Sequence, residues 1–573
     1  MGATARHSEL RAGRGGIIDR QANAAAGRIC LYRHIFAGVA RGAFVSSGVA
    51  LVSIGRGTAR SDTHMFVDLA CGPLTEPVTG KHWDREAVGA RCRQRRSFFA
   101  RRALSSGDRV FVHYGNSAEF FVDLIAIWSL GGCVIPIDTR LTAFEVETLA
   151  RAARPRFSVW WGPPDDAVVR ALSGLDVDVL DAAEVESGPL GEAPSAGHLV
   201  ALDQDALILF TSGTTGQPKG VVHTHRSLRA RWMALRSALG VAPFRRTLCL
   251  LPTHFGHGLI CNSLFPWLCG QHLFIGPPFK PDLLLKLGAL LDEHGITFLS
   301  SVPTLWRLAL KTSAPPRLST LERVFVGSAP LSAHLWRDIQ AWTGVRDVWN
   351  AYGITETGSW LAGTSVADFT PEDGLIGEPW GGVVKVLRTG EGGAPLEATA
   401  ECAAGEGGHV WVNTPALMRG YLERDDLTAQ VVSAGWFHTG DIGVVDERGW
   451  LHLRGREREE INKGGMKIYP ADVDAVVERF DRTIDVCTFA LDDPLLGEDV
   501  GLAVVLERAD PGTLRDLHDW LVRHLAAPQL PKRWYVVDEI PRSARGKVNR
   551  AGVAARCTGL QSVDLRSLRR RPA

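Results

Sequence analysis

Apolar and polar positions alternate from Arg109 to Tyr114. Phe120, Phe121, Leu124, Ile127 and Trp128 then recur at helical spacing before the apolar run Cys133-Val134-Ile135-Pro136. A period of two, then 3.6, then a second apolar run predicts a strand, a crossover helix and a parallel strand, with Asn116 and Glu119 placed as a capping pair at the helix start. Similar alternation through Leu207 to Val222, Leu248 to Leu251, Ile296 to Leu299 and Val324 to Val326 predicts a large α/β domain on parallel sheet. After the strand-like Trp450-Leu451-His452-Leu453, the charge-dense stretch Gly455-Arg456-Glu457-Arg458-Glu459-Glu460 reads as an exposed link between domains. Pro470 then opens a helix whose Val473, Val476, Val477 and Phe480 share one face, the start of a smaller domain of roughly a hundred residues.

Length and charge narrow the classes. A chain of 573 residues exceeds what one hydrophobic core ordinarily serves. Its 64 basic and 63 acidic residues nearly cancel, so nothing in the balance points to nucleic acid or an anionic membrane. The ten cysteines are scattered without C-x-x-C spacing, which reads as reduced thiols in a cytoplasmic protein rather than a disulfide scaffold or zinc site. The first 60 residues carry nine arginines, two acids and no lysine, with little periodicity, and the uncharged run Gly42 to Gly55 is too short for a membrane span. Residues 1–64 are expected to be a disordered or non-native extension, with Met65 beginning the folded chain; a transit peptide is the alternative. Residues 558–573 are expected to form a solvated basic tail.

The candidate chemistry begins at Thr211 to Gly220, TSGTTGQPKG, which follows the apolar run Ala206 to Phe210 and precedes a helix expected from about Ser227. Glycines let backbone N–H groups approach an anion, Thr211, Ser212, Thr214 and Thr215 offer hydroxyl donors, and Lys219 adds a cation. The loop is not a P-loop, because no hydroxyl follows Lys219. Only ten lysines occur in the chain, and Lys219, Lys463, Lys467 and Lys547 all lie in motifs, where a compact ammonium can serve as a point charge.

This decapeptide resembles the signature of the adenylate-forming superfamily of acyl- and aryl-CoA synthetases, adenylation domains and luciferases. The rest of that family's pattern follows in order: Asn350-Ala351-Tyr352-Gly353-Ile354-Thr355-Glu356, Trp436-Phe437-His438-Thr439-Gly440-Asp441, Gly455-Arg456, and Pro541 to Lys547. The resemblance runs from about Phe66 to Arg556. It implies a large N-terminal α/β domain with parallel-rich sheets over residues 65–455, a hinge at 456–458 and a small mobile α+β domain at 459–557. The family's hinge residue is usually Asp or Lys, whereas Arg458 stands here.

The resemblance also implies roles. The Thr211 to Lys219 loop, with Gly213, would hold the β- and γ-phosphates of ATP. Glu356, with Thr214, would hold Mg²⁺, and Thr355 would hydrogen-bond the α-phosphate. Tyr352 would pack on adenine beside Ala351, Ser328 and Ala329, Asn350 would read its amino edge, and Asp441 would accept the ribose hydroxyls with Arg456 nearby. Lys547 would swing onto the carboxylate and α-phosphate oxygens during adenylation, and Gly464, Gly465 and Lys467 would line the approach of coenzyme A after the small domain rotates.

The stretch Leu251 to Gly258 holds no acid to bind an α-amine, and with Asn262 to Trp267 it looks most like the aryl-CoA ligase branch. His254, Phe255, His257 and Gly327 are the candidate pocket walls. The expected function is AMP-forming ligation of an aromatic or medium-sized apolar acid to CoA. The alternatives are a stand-alone enzyme that loads a carrier protein's phosphopantetheine and an inactive acyl- or nucleotide-binding homologue. A luciferase is disfavoured, because the chain lacks a Ser-Lys-Leu tail.

Overall fold

The computed structural model describes residues 71–187, 200–211, 219–278, 281–318, 320–365, 369–388, 401–464, 466–542 and 547–563. The expectations for residues 1–64, most of the phosphate loop, Gly465 and the basic tail from Arg566 lie outside them.

The first alternating segment forms the unit its pattern predicts. The strand Arg109–Val112 pairs in parallel with Cys133–Pro136 across the helix Ala118–Ser129. Ser117, not Asn116, caps that helix, its Oγ accepting from the Phe120 N–H at 3.2 Å. Glu119 turns into the interior, where Lys81 lies 2.5 Å away. Asn116 is used elsewhere: Nδ2 donates to the Leu251 and Gly276 carbonyls, each at 3.0 Å, and Oδ1 accepts from Thr253 N–H at 2.9 Å. One amide therefore pins a loop of the second sheet to the first.

These strands belong to a seven-stranded sheet running from Asp178–Asp181 through Phe157–Trp160, Arg109–Val112, Cys133–Pro136 and Asp205–Thr211, all parallel, to the antiparallel Lys219–Thr224 and Gly420–Tyr421. A fourteen-stranded sheet packs with it. In its parallel part, His272–Ile275, Arg246–Cys249, Phe298–Ser301, Arg323–Gly327 and Val348–Ile354 are neighbours, and an antiparallel part follows from Ser359–Ser365. Both faces of the parallel strands are covered, as such sheets require, and the fully buried Trp128, Trp267, Trp306, Trp336 and Trp360 fill the shared core.

A third, five-stranded sheet, built from Ile461–Lys463, Met466–Ile468, Thr483–Asp493, Gly497–Leu506 and Arg533–Val536, makes the smaller C-terminal α+β part. The helix Pro470–Glu478 packs on it with Val473, Val476 and Val477 buried, joined by Phe480 just beyond the helix. Arg307, on the helix Pro303–Thr312, meets this part through Glu478 at 2.6 Å and Asp485 at 3.8 Å. No described helix is long and apolar enough to cross a membrane, and the nine described cysteines are all free thiols.

Candidate active site

The phosphate-type loop lies between two strands. Asp205–Thr211 and Lys219–Thr224 are antiparallel, with Thr211 opposite Lys219, so the loop closes a hairpin and the next helix, His225–Leu239, begins one strand later. The helix expected from about Ser227 thus starts at His225, and the β-branched run Val221-Val222 extends a strand between it and the loop. Thr224 caps the helix in a reciprocal capping box with Ser227. Ser212, Gly213, Thr214 and Thr215 lie outside the described residues; Thr211 and Lys219 stand at the two ends of the hairpin loop.

From this hairpin and its helix, two side chains reach the turn that carries Thr355 and Glu356. His223 Nε2 donates to the Thr355 carbonyl at 2.7 Å, and Nδ1 lies 3.1 Å from Ser227 Oγ. Burial pushes His223 down to about 4, so the imidazole is neutral and holds one tautomer. Arg231, wholly buried, donates through Nε and Nη2 to the Thr357 carbonyl at 3.1 and 2.8 Å and through Nη1 to Trp380 O at 2.7 Å. The Met418 N–H adds a bond to Glu356 O at 2.7 Å. The turn Thr355–Thr357 is thus fixed from three sides.

Tyr421 joins that turn to the loop. Its hydroxyl donates to Glu356 Oε1 at 2.9 Å, and the Lys219 ammonium lies 5.3 Å from its ring centroid. Burial, and after it the Glu356 charge, raise the phenol well above its usual range, which keeps it a donor. Glu356 is half-buried and makes no direct ion pair among the described residues, though the Arg456 charge reaches it.

The second group lies on neighbouring strands. Asp441 and Arg456 are directly opposite on Trp436–Val445 and Leu451–Arg456, with Arg456 Nε 2.6 Å from Asp441 Oδ1. Tyr352, on Val348–Ile354, donates its hydroxyl to Asp441 Oδ2. Asn350 on the same strand gives Nδ2 to Leu375 O at 2.7 Å, which leaves Oδ1 as the atom that can accept from an adenine amino group. Ala351 is held close to Gly327, where a Cβ would come within 2.4 Å of the Ala351 carbonyl. Only glycine allows that approach.

Ser328 follows in the left-handed region at φ 67°, with its Oγ 2.7 Å from His257 Nδ1. His257 Nε2 lies at the same distance from Ser300 Oγ. Both nitrogens are engaged, and burial pushes the ring down to about 3. His257 therefore ties Phe298–Ser301 to the Ser328-Ala329 wall, and it opens an eight-residue π-helix, His257–Leu264, a rare form that often marks functional segments. His254, with Nε2 3.3 Å from Asp138 Oδ2, packs edge-on against Phe255 at 4.2 Å on the loop that Asn116 anchors.

The remaining candidates belong to the smaller domain. Lys547 is exposed on the segment whose ends, Arg542 and Val548, pair as a bridge, with Arg542 held by Asp485 at 2.6 Å. Gly464, at φ 59°, turns the hairpin Ile461–Lys463/Met466–Ile468, and exposed Lys467 pairs with Glu460 at 3.2 Å. The Lys467 pair lies within the smaller domain. Tyr421, His223 and Arg231 were not singled out by sequence reasoning. The adjacent Gly420 could have drawn attention to Tyr421, but nothing in the local pattern marks the other two.

Residues 63–422 match the family model described as AMP-binding enzyme. The chain is 32% identical to the methyl-dioxo-octahydroindenyl-propanoyl:CoA ligase of Mycobacterium tuberculosis, over 78% of this chain and 88% of that one. It is 30% identical to the fatty acid–acyl-carrier-protein ligase ScoC of Streptomyces coeruleorubidus, over 80% and 88%. The ATP-bound structure of MatB from Rhodopseudomonas palustris superposes with a TM-score of 0.75 at 26% identity, covering 86% of this chain and 97% of that one. With more than half its length matched and the Glu356 and Asp441 groups in place, the chain belongs to the AMP-binding enzyme family.

Proposed function

We propose that this protein is an ATP-dependent, AMP-forming carboxylic acid–CoA ligase acting on an aromatic or medium-sized apolar acid. The observation that carries the reading is the pairing of two prepared polar groups: Tyr352, Asp441 and Arg456 from three strands, and Glu356 beside Lys219 through Tyr421. The first suits a nucleoside and the second its phosphates.

ATP and CoA are substrates here. A carboxylate oxygen attacks the α-phosphorus and pyrophosphate leaves with the bonding pair; the CoA sulfur then attacks the acyl carbon and AMP leaves. Asp441 takes the ribose hydroxyls, Asn350 Oδ1 the adenine amino group, and Tyr352, Ala351, Ser328 and Ala329 the base. Lys219 neutralises charge on the outer phosphates, Thr211 and the loop residues Ser212 to Thr215 donate hydrogen bonds to them, and Thr355 orients the α-phosphate. Glu356 fits a hard cation, being a carboxylate oxygen donor with no direct ion pair among the described residues. With Thr214 it would hold Mg²⁺, which supplies charge neutralisation at the phosphate oxygens.

Lys547 adds a positive charge where negative charge concentrates during the first step, once the small domain, residues 459–557, turns about a hinge at 456–458. Rotation the other way brings Gly464, Gly465 and Lys467 to the pantetheine arm. The acid sits against Phe255, Gly327 and the His254 edge, with His257 holding the wall behind. The absence of an acidic residue between Leu251 and Gly258 speaks against an α-amino acid. The free thiols are in keeping with a cytoplasmic enzyme.

A carrier-protein phosphopantetheine is the second reading of the acceptor, favoured by the likeness to a carrier-protein ligase. Pyrophosphate release from a Met65-start protein, with ATP and Mg²⁺ across aromatic, alicyclic and fatty acids, separates the two. Turnover that requires CoA supports the ligase, and an adenylate that CoA cannot discharge points to a carrier protein. No exchange with any acid would return the chain to the inactive homologues, against which the presence of Lys219, Glu356, Asp441, Arg456 and Lys547 argues.

A further inference from the structure

Close to the nucleoside group but separate from it, two histidines and a glutamate converge. His409 lies on the strand Gly407–Asn413 and His438 on its antiparallel neighbour Trp436–Val445, while Glu457 opens the short turn Glu457–Glu459. A register irregularity between His409 and Trp411 interrupts regular pairing at this point, a device that re-aims side chains. The Trp411 ring stacks on His438 at 4.7 Å and steadies it. His409 is buried, His438 half-buried and Glu457 exposed, so the imidazoles form a floor and the carboxylate a lid.

The three mutual distances decide what the cluster can hold. His438 Nε2 is 3.4 Å from His409 Nδ1, and Glu457 Oε2 is 3.8 Å from each. The point equidistant from these atoms lies about 2.1 Å from each, within the range zinc takes from imidazole nitrogen and carboxylate oxygen. A direct ion pair would draw the carboxylate onto one ring at hydrogen-bond length; here it stands equally far from both. Two imidazoles and one carboxylate, leaving a fourth position for water, suit a borderline transition ion and not the all-oxygen preference of Mg²⁺.

We propose that His409, His438 and Glu457 form a binding site for a divalent transition metal of the zinc class. The ion ties the link between the domains to the strands beneath the nucleoside. Glu457 directly follows Arg456, the partner of Asp441, and precedes Arg458. A bound ion holds the link in the orientation seen here and restrains the domain turn, a consequence that rests on the alternation proposed above.

Chelator-stripped full-length protein titrated with Co²⁺, without ATP, tests the site by the visible absorption of a four-coordinate ion, and competing Zn²⁺ should abolish that signal. One equivalent should bind. His409→Ala and Glu457→Gln should each weaken binding at least tenfold, whereas Glu356→Gln should retain it. Glu457 is exposed, so its variant tests the site without disturbing the core. Absence of the cobalt signal, or a signal indifferent to both substitutions, overturns the site. Zinc loading should also slow both half-reactions in the wild type but not in Glu457→Gln. Unchanged rates of both steps in metal-loaded wild type overturn the restraint. Metal bound by a protein that adenylates no acid would overturn the ligase reading instead.

Discussion

The Tyr421 hydroxyl donates a 2.9 Å hydrogen bond to Glu356, and the same ring faces the Lys219 ammonium. One aromatic side chain thereby sets the distance between the carboxylate suited to a cation and the lysine suited to phosphate. Tyr421→Phe keeps the ring and removes only the bond to Glu356. A hydrogen bond to a charged group contributes about 1.5–3 kcal/mol, so kcat/KM for ATP should fall about tenfold or more. The Mg²⁺ concentration for half-maximal pyrophosphate release should rise as well. An unaltered Mg²⁺ dependence would remove Tyr421 from the site.

Asp441 has Tyr352 on one oxygen and Arg456 on the other, and it is 4% exposed. Asp441→Asn preserves shape but cancels the charge that Arg456 balances and one of the two ribose acceptors. Adenylate formation should drop about a hundredfold, the effect of losing roughly 3 kcal/mol of binding in the transition state. The AMP dissociation constant, measured by calorimetry, should weaken in parallel. Full AMP binding with lost activity would take Asp441 out of nucleotide recognition.

How far these arrangements could be read beforehand depended on how local each is. The crossover unit from Arg109 to Pro136 was legible because strand and helix periods each depend on side chains a few residues apart. The apolar face of the Pro470 helix was legible for the same reason. Asn116 was not: its spacing from Glu119 mimics a capping pair, yet its partners are Leu251, Thr253 and Gly276, more than a hundred residues away. The helix expected from about Ser227 begins at His225, but that the loop before it closes a hairpin was not legible, because a glycine-rich loop is compatible with either a helix or a strand after it. Only the pairing of Val221 and Val222 with the sheet decides. The motif residues Tyr352, Asp441 and Arg456 were named in order, but their convergence comes from register between distant strands.

Acid should weaken the fold through its buried histidines. His223 falls from an ordinary value of about 6.5 to about 4 in the folded protein, so between those limits the unfolded chain binds one more proton. Its contribution is fully present above pH 6.5 and is lost as pH falls toward 4. Over that window the wild-type slope of stability against pH should exceed that of His223→Gln by about 1.4 kcal/mol per pH unit. Urea unfolding at several pH values measures it, and equal slopes would mean that the ring is not held neutral.

The two ends of the small domain make opposite predictions for the half-reactions. Lys547 is exposed, and its segment is anchored to the small domain through the ion pair of Arg542 with Asp485. If it travels to the phosphates only for the first step, Lys547→Ala should reduce adenylate formation by about 10²-fold or more, the scale on which single transition-state charges act. Thioester formation from a supplied acyl-adenylate should stay within about threefold of wild type, since that step no longer uses the lysine. The hairpin turn at Gly464, which Gly465 follows in sequence, should behave the other way, because a bulky side chain there blocks close approach of a pantetheine arm. Gly465→Trp should adenylate normally and transfer poorly. Single-turnover assays with ATP plus acid, and with adenylate plus CoA, separate the steps. Equal loss of both in either variant would mean that one domain orientation serves the whole reaction, and the link at Glu457 and Arg458 would then have no turn to make.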